Sequence, residues 1–121
     1  MQDKGFPEAF AGICREVGER GWQRVILLGQ DLREGPYSLR ACLAQSGVLV
    51  LSPGPRDREW LDAISAGEDA SEATAVRFAA MLADGLEHGV QAVLVTDAFL
   101  VRLVRASGLE VPLLAVGEAR A

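Results

Sequence analysis

The sequence predicts a parallel α/β fold, with a four-stranded sheet carrying helices on both faces. Two observations carry this prediction. Short apolar runs rich in β-branched residues recur at 24–29, 48–51, 90–95 and 111–116, each bounded by turn residues, as strands covered on both faces read. Between them lie stretches whose apolar residues fall three and four apart, the spacing of one buried helix face. A chain of 121 residues is long enough to bury one core and too short for two, so 1–121 is expected to form a single domain.

Taken in order, Phe6, Phe10, Ile13 and Val17 give the first helix one apolar face, and Gly18 or Gly21 ends it. Arg24 to Gly29 is the first strand, and Gln30 to Pro36 a polar loop. A helix from about Tyr37 turns Leu39, Cys42, Leu43 and Ser46 inward and stops at Gly47. Val48 to Leu51 is the second strand, closed by Ser52-Pro53-Gly54-Pro55, whose prolines cannot donate to a ladder. A short helix around Trp60, Leu61 and Ile64 precedes a break at Gly67-Glu68-Asp69. A long helix from about Ser71 to His88 presents Ala75, Phe78, Ala79, Leu82 and Leu86 on one face. Val90 to Val95 is the third strand, and Thr96-Asp97 runs directly into a helix carrying Leu100, Leu103, Val104 and Ser107. Asp97 stands where an N-cap belongs. Val111 to Val116 is a last short strand, with Pro112 suited to its start or to a sheet edge.

Composition excludes several classes of function. The net charge is −5, and no Lys/Arg cluster with interleaved aromatics appears, so nucleic acid is not an expected partner. No apolar run has the length of a membrane span, and the polar start Met1-Gln2-Asp3-Lys4-Gly5 lacks the core of a signal peptide; a cytoplasmic protein is expected. Cys14 and Cys42 lie in apolar helical patterns without C-x-x-C spacing and read as reduced core residues, and a single histidine argues against a metal site. No cofactor is expected: no phosphate-binding P-loop and no G-x-G-x-x-G occurs, nor does a G-x-S-x-G elbow. Eleven of the twelve basic residues are arginine, which suggests a GC-rich bacterial genome. A phosphoacceptor receiver domain would use Asp31 and Asp97, but it also needs a lysine after a later strand, and the chain's lysine is Lys4.

In a doubly wound sheet, ligands bind beyond the carboxyl ends of the strands where the winding reverses. If the second strand flanks the first on one side and the third on the other, the loop 30–36 and the turn 96–99 line one crevice. Helix N-termini near Tyr37 and Ala98 would aim N–H groups into it, a generic site for a carboxylate or phosphate. The candidate ligand-binding residues are Gln30, Tyr37, Thr96, Ala98 and Phe99, and Asp97 is the candidate catalytic residue. Each has a plainer reading. Asp97 is first a helix cap, and a carboxylate committed to backbone N–H groups is a poorer base. Thr96 and Gln30 are either ligand contacts or solvated strand ends, and Tyr37 either a contact or a helix start. His88 reads as a cation near a helix C-terminus, and Trp22 and Trp60 as packing residues.

The order Val25-Ile26-Leu27-Leu28, Glu34-Gly35-Pro36-Tyr37, Gly47-Val48-Leu49-Val50-Leu51-Ser52-Pro53, Asp62-Ala63-Ile64, Gly89-Val90-Gln91-Ala92-Val93-Leu94-Val95 and Val111-Pro112-Leu113-Leu114 resembles the second domain of aspartate/glutamate racemases over about residues 10–116. The resemblance implies a flavodoxin/Rossmann-like half of a racemase-type fold. In that family two such domains face each other, and one cysteine from each moves the α-proton. The second domain's Cys-Thr-Glu motif matches Asp97, Ala98 and Phe99, so the thiol is replaced. The threonine-containing loop after the first strand matches Gly29-Gln30-Asp31-Leu32-Arg33, which has no threonine. The family's lysine after the short helix has no counterpart in Ser65-Ala66-Gly67-Glu68-Asp69. Nothing in the chain matches the first domain, and the helical Cys14 and Cys42 cannot stand in for its cysteine.

The resulting expectation is a stand-alone racemase-like half-domain without two-cysteine activity, a pseudoenzyme that binds a small anion, carboxylate or amino acid, or acts as an interaction module. A homodimer or a separate partner domain would cover its crevice. The alternative is a racemase/isomerase-type enzyme assembled as a homodimer or with a separate partner domain, with Asp97 in proton transfer. A weaker third reading is a flavodoxin-like regulatory domain that senses an anion.

Overall fold

A computed structural model of the chain describes residues 8–29 and 38–115. The described elements are α1 (Glu8–Arg20), β1 (Arg24–Leu28), α2 (Leu39–Gln45), β2 (Leu49–Leu51), α3 (Pro55–Gly67), α4 (Glu72–Glu87), β3 (Ala92–Val95), α5 (Ala98–Ala106) and β4 (Leu113–Ala115). The strands form one parallel sheet in the order β2-β1-β3-β4. This is the expected fold class.

Both faces of the central strands are covered, so successive residues enter different cores. Ile26 and Leu28 of β1 join Val93 and Val95 of β3 in a core with Leu61 and Ile64 of α3, Phe78 and Leu82 of α4, and the α5 leucines and valines. Val25 and Leu27 join Ala92 and Leu94 in the opposite core, with Ile13 and Val17 of α1 and Leu39 and Leu43 of α2. The register Val25↔Ala92 through Leu28↔Val95 keeps these faces aligned.

The split of helices follows from handedness. Going from β1 to β2 the chain steps one way along the sheet, and from β2 to β3 and on to β4 it steps the other way. Right-handed crossovers in opposite directions must place their helices on opposite faces. That puts α2 beside α1 and α3, α4 and α5 on the far side. The winding therefore reverses between β1 and β3.

Local chemistry sets the ends of the elements. Pro55 opens α3, where its missing N–H costs nothing. Ser71 caps α4 by accepting from the Thr74 N–H, and Gly21, Gly89 and Gly108 leave α1, α4 and α5 with positive φ.

Three details differ from the sequence expectation. The helix around Trp60 is longer, 13 residues from Pro55 to Gly67. In α2 the first helical residue is Leu39, capped by the Ser38 hydroxyl, and Ser46 is the exposed C-cap instead of an inward residue. Along α4 the fully buried line is Thr74, Phe78, Leu82 and Gly85, while Ala75, Ala79 and Leu86 lie at its margin. Gly85 lies on this inward line, where a Cβ would meet Ile26 Cδ1 at 3.4 Å, an ordinary packing contact. Among the described residues no helix is long and apolar enough to cross a membrane.

Candidate functional site

The carboxyl ends of β1 and β3 meet at Gly29 and Thr96, and the ladder is extended there by the Thr96 N–H donating to the Leu28 carbonyl at 3.3 Å. Beyond them opens a cleft of about 340 Å³. Its polar lining comes from Thr96 and Asp97 after β3 and from Asp62 and Ser65 on α3, with Leu61 and Leu100 as apolar walls. This is the reversal point of the winding, where such sheets place ligands.

Asp97 is the N-cap of α5. Its Oδ1 accepts from the Phe99 N–H at 2.8 Å, and its backbone carbonyl accepts from the Val101 N–H at 3.0 Å. The other oxygen, Oδ2, accepts from the Ser65 hydroxyl. The carboxylate thus answers the N-terminal end of α5 and is also tied to the last turns of α3. A free anion aimed at the same N-terminus would meet a carboxylate already in place.

The lining is acidic. Asp62 and Asp97 bring two carboxylates to the cleft, and no basic side chain lines it among the described residues. Such a lining favours an ammonium group or another hydrogen-bond donor over a bare anion.

Of the residues expected to bind ligand, Thr96 is exposed at the cleft beside Asp97. Ala98 is exposed in the first turn of α5. Phe99 turns into the core, 6% exposed, with the Arg102 guanidinium 5.5 Å from its ring centroid. Its side chain is therefore a packing group, and its contribution at the site is the N–H that Asp97 takes. Gln30 and Tyr37 lie outside the described residues.

Sequence reasoning missed Leu61, Asp62 and Ser65 as lining residues. Ser65 follows Asp62 by three residues and Leu61 by four, which groups them on one side of the helix, a signal available once α3 is continued past Ile64.

No family model matches the chain. No curated protein matches it either. Among solved structures, a proposed Asp/Glu racemase from Yersinia pestis aligns with a TM-score of 0.75 at 21% identity, over 89% of this chain and 49% of that one. The likeness is one of fold, and this chain spans about half the length of that structure's chain.

Proposed function

We propose that this chain is one half of an Asp/Glu-racemase-type fold that has given up two-thiol proton transfer and works as a binding module for a small amino-bearing ligand, such as an amino acid. The observation that carries this reading is the double commitment of Asp97. At the position where the resemblance puts the second-domain thiol, the carboxylate caps α5 and accepts from Ser65. The acidic cleft supports a ligand that presents an ammonium group. A second copy of the chain or a separate domain would cover the open side, as the facing domain does in the two-domain family.

Differential scanning fluorimetry with amino acids, diamines, dicarboxylates and phosphate tests this reading. A ligand at 100 times its Kd stabilises by about 2.7 kcal/mol, a rise of several degrees in Tm. The expected result is a shift with an amino acid or amine that Asp62→Asn weakens. Shifts with phosphate or dicarboxylates alone would overturn it in favour of an anion site.

The second reading is an assembled racemase- or isomerase-type enzyme in which Asp97 takes the α-proton and a group from the covering half returns one. It is favoured by the position of Asp97 on the cleft wall. Exchange of α-protons with solvent separates the two readings.

A further inference from the structure

Away from the cleft, on the face of the sheet covered by α1 and α2, the Sγ atoms of Cys14 and Cys42 lie 2.9 Å apart. Cys14 projects from α1 and is half-buried, and Cys42 projects from α2 and is buried. The two sulfurs are separated by less than an ångström more than a disulfide bond of about 2.05 Å. No disulfide joins them. Each thiol sits on a helix packed against the same core, Cys14 between Ile13 and Val17 and Cys42 beside Leu43. The two sulfurs thus already meet at the contact between α1 and α2, where a disulfide would have to form.

We propose that Cys14 and Cys42 are a thiol-oxidation site, at which hydroperoxides form an intramolecular α1–α2 disulfide that low-molecular-weight dithiols reverse. Cys14, the more accessible sulfur, attacks the peroxide oxygen as its thiolate and becomes a sulfenic acid, releasing hydroxide. The Cys42 thiolate then attacks the Cys14 sulfur, the S–S bond forms, and the sulfenic oxygen leaves as hydroxide. The two hydroxides take up the two thiol protons. In sum, two thiols and one hydrogen peroxide give one disulfide and two waters, with two electrons passing from sulfur to oxygen. A second sulfur already in place makes the disulfide step faster than further oxidation of the sulfenic acid.

The consequence is local to the fold. The bridge would close a loop spanning 28 positions of sequence that contains all of β1 and Gly29 at the cleft floor. Oxidation would fix α2 against α1 and with it the point where the chain re-enters α2 after β1. A constraint of this length acts largely on the unfolded chain, so the oxidised protein should be the more heat-resistant form.

The test uses the full chain, reduced, desalted and treated with one equivalent of hydrogen peroxide. The expected result is loss of both thiols measured under denaturing conditions, an intact mass lower by two hydrogens, a monomer on a non-reducing gel, and a Tm raised by several degrees that dithiothreitol returns to its starting value. With peroxide, Cys14→Ser should keep its remaining thiol and Cys42→Ser should stop at a Cys14 sulfenic acid that dimedone traps, and neither should show a rise in Tm. Retention of both thiols while free glutathione is oxidised in the same tube would overturn the proposal, as would intermolecular disulfides or a sulfinic acid on the wild-type chain. If a serine variant fails to fold, peptide mapping of the oxidised wild type decides the matter: a linked peptide containing Cys14 and Cys42 supports the site, and its absence overturns it.

Discussion

The Ser65 hydroxyl donates to Asp97 Oδ2 across the carboxyl edge of the sheet, joining the last turns of α3 to the first turn of α5. Because Oδ1 of the same carboxylate holds the Phe99 N–H, one side chain fixes a helix start and a helix–helix contact together.

This double role makes Asp97 a stability residue whatever else it does. Asp97→Ala should cost about 1–2 kcal/mol through the lost cap, and Ser65→Ala roughly 1.5 kcal/mol through the lost hydrogen bond to a carboxylate. In a double-mutant cycle read by urea denaturation, the two should couple by at least about 0.5 kcal/mol. Strict additivity would show that the contact carries no energy.

Along α4, burial and exposure separate two neighbouring residues. Phe78 is fully buried, whereas Val76 is 64% exposed. Phe78→Ala should cost about 3–5 kcal/mol, and Val76→Ala should stay within about 0.5 kcal/mol of wild type. Chemical denaturation midpoints check both, and equal effects would mean that α4 is rotated from the face described.

Two glycines near the end of α4 should respond with opposite signs. Gly89 has φ +88°, and a Cβ there would fall 2.8 Å from Arg24 Nη1, so Gly89→Ala should destabilise by about 1–2 kcal/mol. Gly85 is helical, and its added Cβ would meet Ile26 Cδ1 at 3.4 Å, an ordinary contact. Gly85→Ala should be neutral or stabilising by up to about 1 kcal/mol. The pair of thermal melts decides it.

The strands, the topology and the Thr96–Asp97 side of the cleft were legible in the sequence because each strand is buried on both faces and reads as an apolar run, whereas the loop 30–36 expected opposite that side lies outside the described residues. The crossovers' fixed hand then leaves little choice of order. The Asp97 cap was legible for the same local reason: a cap is a relationship between adjacent residues. Ser65 was not, since it meets Asp97 across 32 positions of sequence and no periodicity links them. The face of α4 was read slightly off because alanines at 75 and 79 look apolar, while Thr74 and Gly85 take the buried line. The approach of Cys14 to Cys42 depends on how α1 packs on α2, which no sequence spacing encodes.

Asp69 gives the chain a defined acid response. The Ser71 N–H donates to its Oδ1 at 3.0 Å, and with the Ser71 and Thr74 side chains this holds the carboxyl below its ordinary value of 3.8. A folded value lowered relative to the unfolded one means that the contribution is fully present well above 3.8 and is lost as pH falls through the lowered folded value. The stability difference between wild type and Asp69→Asn should therefore be constant above about pH 5 and shrink below it. Urea midpoints taken across that range check this, and a difference that grows on acidification would contradict it.

The most direct test of the binding-module reading is α-proton exchange in D2O, followed by NMR on aspartate, glutamate, other amino acids and simple dicarboxylates with the purified chain. For a binding module, the α-proton of an amino acid that raises the Tm exchanges no faster than in the protein-free control. Incorporation of α-deuterium that Asp97→Asn abolishes would overturn the binding-module reading and establish the cleft as a proton-transfer site.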